Sequence, residues 1–162
     1  MSNAGLAVPP RRQSFRVSAP NDAITPKIAR EQVALLLSLT RHASVADVAK
    51  LLVSEIVTNV HVHTSTPVVH VDVTVGPGRV YVAVWDDAPC PRLHVRDARD
   101  PRAGEERGRG LLLVQEMATR WGVTWPVEPG RARKRVWFTL DEHRTAARIE
   151  PDHAGPYRAP GT

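Results

Sequence analysis

The chain has 162 residues, with 22 Lys and Arg against 17 Asp and Glu for a formal charge of +5, and that length buries one sizeable core without disulfides or a structural metal. A single cysteine, Cys90, excludes an internal disulfide, and no Cys/His cluster has zinc-ligand spacing, so a reduced, cytoplasmic setting is expected. No apolar run approaches the roughly 20 residues of a membrane span and the N-terminus lacks the apolar stretch of a signal peptide, so no membrane association is expected.

Residues 1–13 hold Gly5, Pro9 and Pro10 with two arginines and no periodicity, and read as a disordered tail whose opening Met-Ser-Asn-Ala is compatible with an expression scar. Residues 142–162, with Pro151, Pro156 and Pro160, read the same way. The patterned sequence between them, residues 14–141, is one domain.

Within it, residues 14–19 alternate as a strand, and after a Pro-Asn-Asp turn Pro26 suits a helix start. Ile28, Val33, Ala34, Leu36 and Leu37 then recur at helical spacing up to Leu39. A second helix is predicted over residues 44–63, with Ser44 and Asp47 as a capping box in which Asp replaces Glu. Val69, Val71, Val73 and Val75 alternate with His70, Asp72 and Thr74, Gly76-Pro77-Gly78 reverses the chain, and residues 79–86 complete an antiparallel hairpin.

Residues 88–108 carry several prolines and many charges, and are too long for an ordinary connection, as lids often are. A third helix is predicted over residues 110–120, then strands over 122–127 and 133–140 joined by Glu128-Pro129-Gly130. This order gives a two-layer α/β sandwich with a mostly antiparallel sheet. Trp121, Trp125 and Trp137, on or near the last strands, are assigned to core and sheet-surface packing. The basic residues are nearly all arginine and interleaved with acids, with one dense cluster at 131–135. No recognisable binding motif accompanies it, so nucleic acid is not an expected partner.

Three short patterns carry chemistry. Glu55, Asn59 and His63 stand at four-residue steps on an otherwise apolar helix, so they share one stripe. A carboxylate one turn before a carboxamide can take a proton while the amide oxygen holds a metal; the competing reading is a solvated stripe on a surface helix. Asp86 ends a strand, as a pure hydrogen-bond acceptor or as a turn aspartate ahead of Asp87 and a proline. Gly108-Arg109-Gly110, opening a helix at Leu111, either lets the backbone approach a phosphate at the helix N-terminus or serves as turn chemistry.

Taken together, Glu55-Ile56-Val57-Thr58-Asn59-Val60-His61-Val62-His63, Val84-x-Asp86-x-Ala88-x-Cys90 and Gly108-Arg109-Gly110-Leu111 resemble the GHKL ATP-binding superfamily shared by gyrase, histidine kinases and MutL. The similarity is closest to its single-domain anti-sigma factor kinases. It implies the GHKL (Bergerat) sandwich, with helices covering one face of the sheet, binding ATP and Mg²⁺. Asn59 would ligate Mg²⁺ on the phosphates, Glu55 would be the base facing an incoming hydroxyl, and Asp86 would accept from the adenine amine. Ala88 and Cys90 stand where the family has glycines, so backbone approach to the base passes a methyl group at Ala88. Gly104 would hinge the lid, and Gly108, Gly110 and Leu111 would meet the phosphates. Arg109 either adds charge against the γ-phosphate or points to solvent. His63 matches the family and equally suits a helix C-terminal cap.

The activity implied is a Mg²⁺-dependent serine/threonine kinase acting on a STAS-domain anti-sigma antagonist, with a sigma factor as the other partner and a homodimer formed through the sheet, as in relatives. The alternative is a non-catalytic, nucleotide-gated module that sequesters a sigma factor or other partner. A histidine kinase would need a dimerisation helix ahead of the domain, and a gyrase-like machine a transducer domain after it.

Overall fold

The computed structural model describes residues 12–86, 109–125, 127–128 and 131–144. The elements in chain order are β1 (Gln13–Pro20), α1 (Thr25–Leu39), a 3-10 turn (Ala43–Val45), α2 (Ala46–His63), β2 (Val68–Gly76), β3 (Arg79–Asp86), α3 (Arg109–Met117), β4 (Arg120–Thr124), β5 (Val127–Glu128), β6 (Arg131–Ala132) and β7 (Lys134–Asp141). Five strands form one sheet in the order β1-β2-β3-β7-β4, with every neighbouring pair antiparallel, while β5 and β6 make a separate two-stranded ribbon. The chain leaves β3 for α3 and returns on β4 at the sheet edge, and β7 then fills the gap between them.

The period-2 alternation of valines builds the layer. Val69, Val71, Val73 and Val75 of β2, Val80, Val82 and Val84 of β3 and Val136, Phe138 and Leu140 of β7 are all buried on one face. Against them pack Leu52, Val53, Ile56, Val57 and Val60 of α2 and Val33 and Leu37 of α1, in a single apolar cluster. Each such side chain contributes about 1.5–3 kcal/mol by leaving water, so this one cluster holds both helices on one side of the sheet. The β2–β3 turn works as its composition predicts: Pro77 is followed by Gly78 at φ 63, a left-handed conformation that favours glycine.

Local details depart from expectation where tertiary contacts intervene. The Ser44–Asp47 capping box does not form: α2 starts directly from the 3-10 turn with Val45 as its cap, and Ser44 Oγ instead donates to Glu142 Oε1 at 3.3 Å. The third helix stops at Met117 because Thr119 N–H turns to Thr139 O at 2.8 Å, which converts Arg120 into a strand residue and starts β4 earlier than residue 122. Ile28, read as part of the helical apolar pattern, is 40% exposed. Trp121 packs against the core, whereas Trp137 belongs to the opposite face, where its ring stacks on Tyr81.

That outer face is tied laterally by Arg16, whose Nε and Nη2 donate to Asp72 at 2.6 and 2.7 Å, and by Arg79 on Asp141. Partial burial opposes ionisation of Asp72, but hydrogen bonds from Arg16 and Trp85 overcome it and hold its carboxyl below the ordinary range; the Arg79 hydrogen bond does the same for Asp141. A carboxylate with a depressed folded-state pKa stabilises the fold above its unfolded value, here 3.8, and that contribution is lost as pH falls through the folded-state value. Thermal melts taken down through this acid range are expected to show Asp72→Asn less stable than the parent near neutrality, with a shallower fall of Tm below about pH 4. An unchanged acid limb would show that the pair contributes nothing.

Candidate functional site

Glu55 and Asn59 occupy α2, whose other face carries Leu52, Ile56, Val57 and Val60 into the core. Burial of that face fixes the helix rotation, and so directs the polar stripe toward the start of α3. There Gly110 is the contact point: a Cβ on it would come within 3.1 Å of both Asn59 Nδ2 and Glu55 Oε2, and 3.4 Å from Glu55 Cβ. Two motifs more than 50 residues apart in the chain thus meet, with an amide, a carboxylate and the first turn of a helix side by side. The unpaired N–H groups of that first turn and the helix dipole favour an anion in this position.

Below this junction lies a cavity of about 140 Å³ lined by Ile56, Asn59, Val60, His63, Leu111, Val123, Lys134 and Val136. Its walls are mostly aliphatic, suited to a planar ring, with polar groups at the rim. Leu111 contributes its half-exposed side chain, and exposed His63 enters from the last turn of α2. Asp86 ends β3 with only 2% of its surface exposed, directly across the ladder from Lys134. Lys134 Nζ lies 4.0 Å from Asp86 Oδ2 and lines the same cavity, so it links the buried carboxylate to the stripe on α2.

Asn59, His63 and Leu111 therefore share one cavity, Glu55 and Gly110 adjoin it, and Asp86 reaches it through Lys134. Arg109 opens α3. Ala88, Gly104 and Gly108 lie outside the described residues. Lys134 is not marked out in the sequence because it sits inside the arginine-rich run 131–135 and gains its meaning only from the β3–β7 register, which is a long-range pairing.

A far larger concavity, about 720 Å³, gathers Arg12, Arg79, His143 and Arg144 around Asp141. It lies at the Arg79 end of β3, the opposite end from Asp86, and holds none of the motif residues. Size alone would select it; the convergence of three separate motifs selects the smaller site.

The donor set fits Mg²⁺ of a particular kind. Among the described residues no group of three His, Cys, Asp or Glu side chains could cage a metal. One amide oxygen at Asn59 beside one carboxylate suits an ion that keeps its waters and takes its other ligands from phosphate.

The close approach at Gly110 makes a prediction. Gly110→Ala is expected to push Glu55 and Asn59 apart by a few tenths of an ångström and to weaken binding of nucleotide triphosphate by about 10-fold or more, with little change in Tm. Calorimetric titration with ATP and Mg²⁺ measures this, and undiminished affinity would show that the anion does not enter between α2 and α3.

No curated protein is significantly similar to the chain. The family profile of the histidine kinase-like ATPase domain matches residues 20–139, from the last residue of β1 into β7, and includes every motif residue placed above. With the five-stranded antiparallel sheet, the helices on one face and the α2–α3 junction in place, the chain belongs to the histidine kinase-like ATPase family of the GHKL superfamily.

Proposed function

We propose that the chain is an ATP-dependent serine/threonine kinase of the anti-sigma factor type, acting on a STAS-domain antagonist and binding a sigma factor in the cytoplasm. The observation that carries this reading is the contact of Gly110 with both Glu55 and Asn59, since it sets a carboxylate and a carboxamide beside a helix start suited to phosphate. Asp86 accepts the hydrogen bond of the adenine amine, a task for which a carboxylate is suited because it only accepts. The aliphatic cavity holds the base, and the first turn of α3 holds the phosphates. Asn59 carries Mg²⁺, which when bound neutralises charge on the transferred phosphoryl group.

Glu55, on the same side of α2 as Asn59, faces the space an incoming serine hydroxyl must occupy, where it orients that hydroxyl and receives its proton. Most of the rate enhancement then comes from positioning and charge stabilisation, as in other phosphoryl transfers. The test is transfer of labelled γ-phosphate from ATP to a serine of a candidate antagonist, with Glu55→Gln expected to bind ATP normally and lose transfer. ATP binding with no label on any antagonist would overturn the kinase and leave a nucleotide-gated binding module.

A further inference from the structure

The last rung of the β3–β7 ladder pairs Asp86 with Lys134. Residues two apart on a strand share a face, so both side chains lie with Val84 and Val136 on the side of the sheet that carries the helices. Arg135, one residue further on, turns the other way and lies over the Trp85 ring. Among the described residues of the basic run, Lys134 alone lines the cavity it shares with Asn59 and Leu111. Its Nζ stands 4.0 Å from Asp86 Oδ2, with 34% of the lysine side chain exposed against 2% of the aspartate. That separation is a charge contact and exceeds an N–H···O hydrogen bond, which falls at about 2.7–3.2 Å. Lys134 thus offsets the buried carboxylate and keeps N–H directions for a ligand.

A fixed acceptor and a fixed donor side by side match the edge of one base. Adenine presents an amine that donates and, on the adjoining ring atom, N1 that accepts. Guanine presents at the same two places a carbonyl that accepts and an N–H that donates. A carboxylate only accepts and an ammonium only donates. With Asp86 on the amine, a hydrogen bond from Lys134 to N1 adds a second contact to adenine. Turned to guanine, the same two groups oppose acceptor to acceptor and donor to donor. The other polar side chains lining the cavity, Asn59 and His63, come from α2, and Asn59 is held against Gly110 at the start of α3. Lys134, across the ladder from Asp86, is the group placed for the atom next to the amine.

We propose, on the reading of this cavity as the ATP site, that Lys134 is a specificity-determining residue that donates a hydrogen bond to N1 of adenine. Asp86 and Lys134 then read the base edge as a pair, and a purine with the reversed pattern leaves both charges unmatched.

The experiment titrates the full chain, in the presence of Mg²⁺, with ATP and with 1-deaza-ATP, which keeps the amine and carries C–H in place of N1. The parent is expected to bind 1-deaza-ATP about 10-fold or more weaker than ATP. Lys134→Met keeps an unbranched apolar stem without the donor, and is expected to bind ATP about 10-fold weaker and to distinguish the two nucleotides no longer. Equal affinity of the parent for both would overturn the proposal, and that comparison needs no variant to fold. So would a preference for ATP that survives in Lys134→Met, which would leave the lysine as a counter-charge for Asp86 or a phosphate contact. A parent that binds neither nucleotide would remove the ATP reading itself and the proposal with it, which separates the two failures.

Discussion

Replacement of Asn59 by alanine is expected to abolish the Mg²⁺-dependent part of nucleotide binding and to lower phosphoryl transfer by about 100-fold or more, because its amide oxygen is the ligand assigned to the ion while the neighbouring Glu55 is assigned to the incoming hydroxyl. Asn59 is half-buried at the junction with Gly110, and its neighbours Ile56, Val57 and Val60 carry the packing of α2. Removing it takes no apolar contact from the core, and the stability change should stay within about 0.5 kcal/mol. Titration with ATP in the presence of Mg²⁺ and again in EDTA separates the two effects. The parent should lose affinity in EDTA and the variant should not, whereas an equal metal dependence in both would assign the ion to other ligands.

Asp86→Asn is expected to have the second large effect, on the choice of base. The carboxylate is 2% exposed and faces Lys134, so it presents a fixed acceptor in a site shielded from water. Asparagine offers an NH₂ group as well as an oxygen, and can meet the carbonyl of guanine where the carboxylate rejects it. A hydrogen bond to a charged group contributes about 1.5–3 kcal/mol, so ATP affinity should fall by roughly 10- to 150-fold and the preference over GTP should narrow. Competition between the two nucleotides on parent and variant measures this. A preference that stays constant would move base recognition away from the end of β3.

Much of this arrangement is legible in the chain because it is written in short-range patterns. The valines of β2 and β3 alternate strictly, the Pro77–Gly78 turn announces the hairpin, and the four-residue steps of Glu55 and Asn59 define one side of α2. What escapes is long-range. Lys134 becomes part of the site only because β7 inserts beside β3 with Lys134 opposite Asp86. The end of α3 is set by Thr119 reaching Thr139 rather than by any stop signal, and Ser44 leaves its capping role for Glu142, a residue remote in sequence. The arginine cluster carries no binding motif along the chain, and only the register shows Arg135 over Trp85 and its outward neighbour Trp137 against Tyr81. In each case the deciding partner lies across the sheet or across the core, where local propensity carries no information.

The convergence of α2, the start of α3 and the end of β3 on one ATP site is tested most directly by hydrogen exchange on the full chain with and without ATP and Mg²⁺. Added nucleotide should slow exchange together in the second half of α2, the first turn of α3 and the Asp86 end of β3. Protection confined to the Gly76–Arg79 turn and the end of β7, where the larger concavity lies, would contradict it, as would no protection at a saturating nucleotide concentration.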